Sequence, residues 1–344
     1  MAKIDALLKM MNQYDASDLH MSAGNPPILR INGRLQRTKS QDLSSRDIEM
    51  LLLEILQEES LAIFKERKDV NFSYELEGVA RFRANIFLER KGYGAAFRII
   101  PTKIKTLEEL GLPESISTLV RSQSGLLMVT GPNGSGKSTT IAAIIDLINR
   151  EQNHHIITLE DPIEFIHPKG KSLIHQRQLG LHMKSVASGL RAALREDPDI
   201  ILAGDMTDPE TILLALTAAE SNLLVIGTLY TANAGDTVER IIDVFPTFQQ
   251  PQIRAMVSVA LRGVVSQRLL RRADGHGRVA ALEIMVKNPA IKNLISEGKS
   301  YQIFYVIQSS LNEGMLTMEG NINSMVKQGL VNQEEAKLYL KDGK

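Results

Sequence analysis

Chemistry is most legible in the stretch Gly131-Pro132-Asn133-Gly134-Ser135-Gly136-Lys137-Ser138-Thr139, which has the spacing Gly-x-x-x-x-Gly-Lys-Ser. Glycines at these intervals let successive backbone N–H groups turn inward around phosphate oxygens. A helix starting just beyond adds partial positive charge at its N-terminus. Lys137 then reaches β- and γ-phosphates, and the Ser138 hydroxyl is a ligand for Mg²⁺. The flanks suit this reading. Leu126-Leu127-Met128-Val129-Thr130 reads as a buried strand before the loop. Ile141, Ile144, Ile145 and Ile148 recur at helical spacing after it.

Two further apolar runs end in acids. His155 to Leu159 leads into Glu160-Asp161-Pro162-Ile163-Glu164, and Asp199 to Gly204 leads into Asp205. In an open α/β sheet the ligand lies beyond the carboxyl ends of the strands. Phosphoryl transfer to water needs a metal held by a hydroxyl and an acid, plus a group that orients the water. Asp205 suits the metal, in part through water molecules. Glu160 or Glu164 suits the attacking water, and residue type alone does not rank them. The ligands implied are a nucleotide and Mg²⁺.

These residues need elements to place them. Ile4, Leu7, Leu8 and Met11 mark a short amphipathic helix. Ile28 to Arg34 reads as a strand and a tight turn, with Asn32-Gly33 as the hairpin signal. Ser44 to Phe64 reads as one helix, opened by a capping box with Asp47 in place of Glu. From Val70 to Ile100 the period changes to two, as in strands. Residues 1–100 therefore read as a mixed α+β domain, and residues 101–113, with Pro101 and a polar stretch, as a linker. From 114 to 344 strands and helices alternate. The strands are continuous apolar runs, as in a parallel sheet covered by helices. Asp208-Pro209-Glu210 carries an N-cap, a proline at the first turn and an early acid. After Gln252 the pattern is largely helical, apart from a hairpin near Gly275-His276-Gly277 and a strand at Val279–Val286, and the last helices occupy about 288–344.

Composition excludes several classes. Lys+Arg and Asp+Glu are equal at 40 each, which gives no electrostatic argument for a nucleic-acid partner. The cluster Arg268-Leu269-Leu270-Arg271-Arg272 reads as a solvated helix end. With no cysteine there is no disulfide and no thiolate metal site. His154-His155 reads as strand-edge surface. No signal peptide and no membrane span is predicted, and the expected location is the cytoplasm.

The chain resembles the PilT-like secretion ATPases, the retraction motors of type IV pili. The resemblance is carried by Ala16-Ser17-Asp18-Leu19-His20, Gly78 to Arg83, the phosphate loop, Leu159 to Phe165, Leu194 to Asp199, Leu216 to Glu220 and Pro289 to Ile295. It implies an N-terminal PAS-like domain followed by a RecA-like ATPase domain with a helical C-terminal part. It also implies a homohexameric ring with ATP bound between subunits, peripheral at the inner membrane, where it works against the platform protein at the pilus base. By this resemblance Glu164 is the catalytic glutamate and Asp205 the second acid near Mg²⁺. Arg83 and Arg98 are the arginines that reach a nucleotide phosphate across domains, with Arg81 a weaker match.

In the two boxes that sense the γ-phosphate, the chain departs from the family at three positions. Asp205 stands where the family usually has Glu, Thr207 where it has Arg, and Tyr230 where it has His. Tyr can donate a hydrogen bond but stays neutral near pH 7. These changes raise a second reading: a ring that binds nucleotide, hydrolyses it weakly and assists an active paralogous retraction ATPase. Lys137, Ser138 and Glu164 support the first reading, an active motor.

Overall fold

Residues 2–31, 33–100, 103–121 and 124–340 are described by the structure, a computed structural model. Asn32, Pro101, Thr102 and residues 341–344 lie outside the described residues, so the expected Asn-Gly turn and linker start are not part of it. The chain divides into two compact units. The first is Met1–Lys103 with Pro162–Ile166, and the second is Ile104–Asp161 with His167–Lys344.

The first unit runs α1 (Asp5–Gln13), β1 (Asp18–Ser22), β2 (Ile28–Ile31), β3 (Arg34–Arg37), α2 (Ser45–Leu53), α3 (Glu58–Arg67), β4 (Asp69–Leu76), β5 (Ala80–Glu89) and β6 (Gly92–Ile100). Its six strands form an antiparallel sheet in the order β3-β2-β1-β6-β5-β4. The period of two in β5 decides its faces. Phe82, Ala84 and Ile86 are fully buried with Leu8, Ile48 and Leu52 from α1 and α2, while Arg81, Arg83 and Asn85 point to the other face. The capping box of α2 forms as read: Ser44 Oγ accepts from Asp47 N, and Asp47 accepts from Ser44 N at 2.9 Å. The single helix expected from Ser44 to Phe64 is two helices. The chain turns after Leu53 and buries Ile55 from the connection. Gln57 makes no side-chain cap, so this break has no local sequence signal.

The second unit runs α4 (Glu114–Arg121), β7 (Gly125–Thr130), α5 (Lys137–Glu151), β8 (His155–Glu160), β9 (Leu173–Gln178), α6 (Val186–Ala193), β10 (Ile200–Asp205), α7 (Pro209–Glu220), β11 (Leu224–Leu229), α8 (Ala234–Asp243), α9 (Gln250–Ala260), β12 (Leu261–Arg271), β13 (Arg278–Val286), α10 (Pro289–Ser296), α11 (Ile303–Ser309), α12 (Met318–Lys327) and α13 (Gln333–Leu340). Its seven-stranded sheet has the order β13-β12-β7-β11-β10-β8-β9, parallel except for the β12–β13 hairpin. Every residue of β7 and β11 is buried, because helices cover both faces. Leu126 and Met128 join a core with α6 to α11, while Leu127 and Val129 join a second core with α4 and α5. Each such buried aliphatic side chain contributes about 2 kcal/mol.

Three expectations are corrected here. Leu261–Arg271 is a strand in the sheet rather than helix, its β-branched Val264 and Val265 buried between two neighbouring strands. The Arg268–Arg272 cluster is therefore the end of a strand at the hairpin turn, where Arg272 pairs with Asp274 at 2.7 Å, and not a helix end. The strand β9 has no apolar run and was not foreseen. The His pair also sits differently, because β8 has β10 on one side and β9 on the other. His155 Nε2 lies 3.0 Å from His175 Nδ1, and His154 lies 3.4 Å from Asp199. Among the described residues no helix is long and apolar enough to cross a membrane.

Candidate nucleotide-binding site

The phosphate loop leaves the carboxyl end of β7, and Lys137 is the first residue of α5. Two of its glycines answer to strand β12 as well as to any phosphate. Gly131 has φ 141°, and a Cβ there would stand 2.2 Å from the Gln267 carbonyl oxygen. Gly136 has φ 92°, and a Cβ there would stand 2.7 Å from Gln267 Nε2. Gln267 is 2% exposed and braces the loop from behind. Its Nε2 donates to Ser135 O at 2.8 Å, and its Oε1 accepts from Thr140 Oγ1 at 2.7 Å. Next to it, Ser266 Oγ lies 2.8 Å from Thr130 Oγ1 at the end of β7. Sequence reading missed Gln267 and Ser266. Their only signal is a polar pair inside an apolar run, and it speaks only once the run is known to be a buried strand.

Lys137 Nζ donates to Gly131 O at 2.8 Å and to Pro132 O at 3.2 Å, and it lies 4.4 Å from the centre of the Tyr230 ring. Asp205 is exposed at the end of β10, where the register to β11 shifts between Leu202 and Asp205. Its Oδ1 accepts from Thr228 Oγ1 and its Oδ2 from the Tyr230 hydroxyl. The structure thus brings Lys137 and Asp205 to one residue, Tyr230, at the end of the strand between theirs. Two of the three departures from the family pattern, Asp205 and Tyr230, touch each other. Thr207 is exposed beside them in sequence. Ser138 and Asn133 are exposed, and Ser135 is buried with its hydroxyl unpartnered.

The two acids left unranked by sequence fall in different units. Glu160 closes β8 in the second unit, where Oε1 accepts from Thr158 Oγ1 at 2.6 Å and from Gln176 Nε2 at 3.1 Å. Glu164 belongs to the segment grouped with the first unit. There it accepts from Arg83 Nη1 at 3.1 Å, and Ser73 Oγ donates to the neighbouring Ile163 carbonyl at 3.0 Å. Arg98 lies opposite Arg83 in the β5–β6 register, and it pairs with the buried Asp18 at 2.8 Å. Arg81 has a buried Nε without a hydrogen-bond partner.

Among the described residues no group of three or more His, Asp or Glu is placed to hold a metal. Mg²⁺ does not require one. It usually takes one or two protein oxygens and completes its shell with phosphate and water. An exposed hydroxyl at the head of α5 and an exposed carboxylate at the end of β10 fit that chemistry.

The family described as type II/IV secretion system protein matches residues 1–338. The chain belongs to this family. Within it the chain is PilT-like. It is 46% identical over 334 residues to PilT of Pseudomonas aeruginosa, a type IV pilus retraction ATPase, covering 97% of each chain. It is 47% identical over 311 residues to a twitching motility protein of Neisseria gonorrhoeae, covering 90% of this chain and 83% of that one. The solved structure of the pilus retraction motor PilT with bound ADP superposes with a TM-score of 0.87 at 44% identity, covering 98% of this chain and 96% of that one. The fold of this secretion-family chain is accordingly a PAS-like α+β domain followed by a RecA-like domain with a helical C-terminal part.

Proposed function

We propose that this chain is an ATP-driven motor that retracts type IV pili, working as a homohexamer with nucleotide bound between subunits. One observation carries the reading. An intact phosphate loop, with Lys137 and Ser138 heading a helix, sits in a chain similar to pilus retraction ATPases along nearly its whole length. Residues 1–100 and 114–344 are its two working domains.

In this reading the backbone of Gly131–Thr139 cradles the phosphates, and Lys137 leaves the loop carbonyls to meet the β- and γ-phosphates. Ser138, and Asp205 partly through water, would hold Mg²⁺. When bound, that ion would supply positive charge that offsets the negative charge of the transition state. Glu164 orients the attacking water, and Glu160 shapes the acidic end of β8. Arg83 and Arg98 supply positive charge to the phosphates from a neighbouring subunit. The ring acts on the inner-membrane platform protein at the pilus base, alone or beside a paralogous retraction ATPase.

The test is steady-state ATP hydrolysis by the purified protein at several concentrations, with Lys137→Ala and Glu164→Gln beside it. Turnover should rise with concentration as rings form. It should fall at least a hundredfold, on the order expected for loss of a group that stabilises or orients the reaction, in both variants. Glu164→Gln should still bind ATP. Wild-type turnover equal to that of the two variants sinks the motor reading.

A further inference from the structure

Tyr230 stands between two groups that nucleotide binding has to use. Its hydroxyl donates to Asp205 Oδ2 while Thr228 donates to Oδ1, so both carboxylate oxygens already accept a hydrogen bond from a protein hydroxyl. Its ring lies under the Lys137 ammonium at 4.4 Å, a distance at which the ring quadrupole attracts a cation. Lys137 is turned toward its own loop, donating to Gly131 O and Pro132 O. The Thr228 hydroxyl shares its one proton between Asp205 Oδ1 and Gly204 O, the latter at 3.1 Å. Tyr230 is different. It is 48% exposed and follows the last residue of β11, at the edge of solvent.

We propose that Tyr230 is a positioning residue that latches the site without nucleotide, its hydroxyl competing with metal-bound water for Asp205 and its ring holding Lys137 back from phosphate. The proposal rests on the nucleotide reading of this site. A carboxylate oxygen that accepts from a phenol has one fewer lone pair to offer a donor water in a metal shell. A hydrogen bond to a charged group is worth about tenfold in an equilibrium constant, and a cation–π contact at an exposed site about threefold. The latch therefore shifts the balance without closing the site, and its two halves are separable by substitution. Tyr230→Phe removes the hydroxyl and keeps the ring. Tyr230→Leu removes both.

The experiment measures binding of ADP bearing a fluorescent N-methylanthraniloyl group, once in EDTA and once with MgCl₂, for the full chain and both variants. The readout is the ratio of the two dissociation constants, which isolates the contribution of the metal. Tyr230→Phe should raise the tightening by Mg²⁺ about tenfold and leave affinity in EDTA within about twofold. Tyr230→Leu should show the same gain and also bind about threefold more tightly in EDTA, because Lys137 is released. Circular dichroism and melting establish that both variants fold. A ratio unchanged or lowered in Tyr230→Phe, with binding intact, overturns the latch and leaves the nucleotide site standing. A wild-type protein that binds no ADP under either condition overturns the nucleotide reading itself and the latch with it.

Discussion

The two sides of the proposed nucleotide site are held by opposite means. The phosphate loop is fixed from behind by buried, neutral hydrogen bonds: Gln267 to Ser135 and Thr140, and Ser266 to Thr130. The acid side is held by contacts at the surface. Asp205 is exposed and meets Thr228 and the half-exposed Tyr230. Within the first unit a contact of the same kind occurs, where Glu164 meets Arg83 in an ion pair whose side chains are 27% and 39% exposed. Buried neutral bonds are costly to break because the orphaned group has no water to turn to. Surface charged contacts exchange partners at small cost. One half is thus built to keep its shape, and the other to change partners.

The largest expected effect comes from attacking the rigid side. Gln267→Leu leaves Ser135 O and Thr140 Oγ1 without their buried partner. It should lower unfolding free energy by about 2–4 kcal/mol and weaken ADP binding. Urea denaturation and the fluorescent-ADP titration measure both. A loss below about 0.5 kcal/mol, the usual range of surface changes, would erase the contrast.

Glu283 sharpens the comparison, because it is an acid on the buried side. It pairs across the hairpin with Ser266 and accepts from Ala234 N at 2.8 Å at the start of α8. Burial pushes its carboxyl up to about 7 from an ordinary 4.5, with the Ala234 N–H pulling it down and Asp236 pushing it further up. The unfolded chain releases this proton near pH 4.5 and the folded one only near 7, so the folded state binds more protons between those values. Stability contributed by this group is present at low pH, falls by about 3 kcal/mol as pH rises through the window, and levels off above it. Glu283→Gln keeps an acceptor for Ala234 and should flatten that slope. Denaturation midpoints from pH 4.5 to 8 decide it, and parallel slopes in the two proteins would refute the assignment.

The smallest effect belongs to the exposed side. Arg83→Ala should change stability by less than about 1 kcal/mol, as surface ion pairs do. A loss of 3 kcal/mol in denaturant titration would show that the Arg83–Glu164 pair is structural, and the contrast between buried neutral and exposed charged contacts would fail.

Local chemistry made much of this readable. The Ser44 and Asp208 caps, the strand-loop-helix around Lys137 and the alternation in β5 depend on residues within a few positions of one another, and the structure has them. The break after Leu53 was not readable, since no side-chain cap marks the start of the next helix. Strand β12 was misread as helix because a short buried apolar run has no period of its own.

The sequence by itself determined the phosphate loop, the acids at the strand ends and the resemblance that led to the family. Backbone torsion preferences and turn chemistry act over spans of a few residues, and those spans are written in order along the chain. The fold alone decided that Gln267 backs the loop, that Glu160 and Glu164 part into different units, and that Tyr230 joins Asp205 to Lys137. Each of these depends on sheet order. Strands far apart in sequence become neighbours through the packing of the whole sheet, and no local preference encodes which side chains then meet.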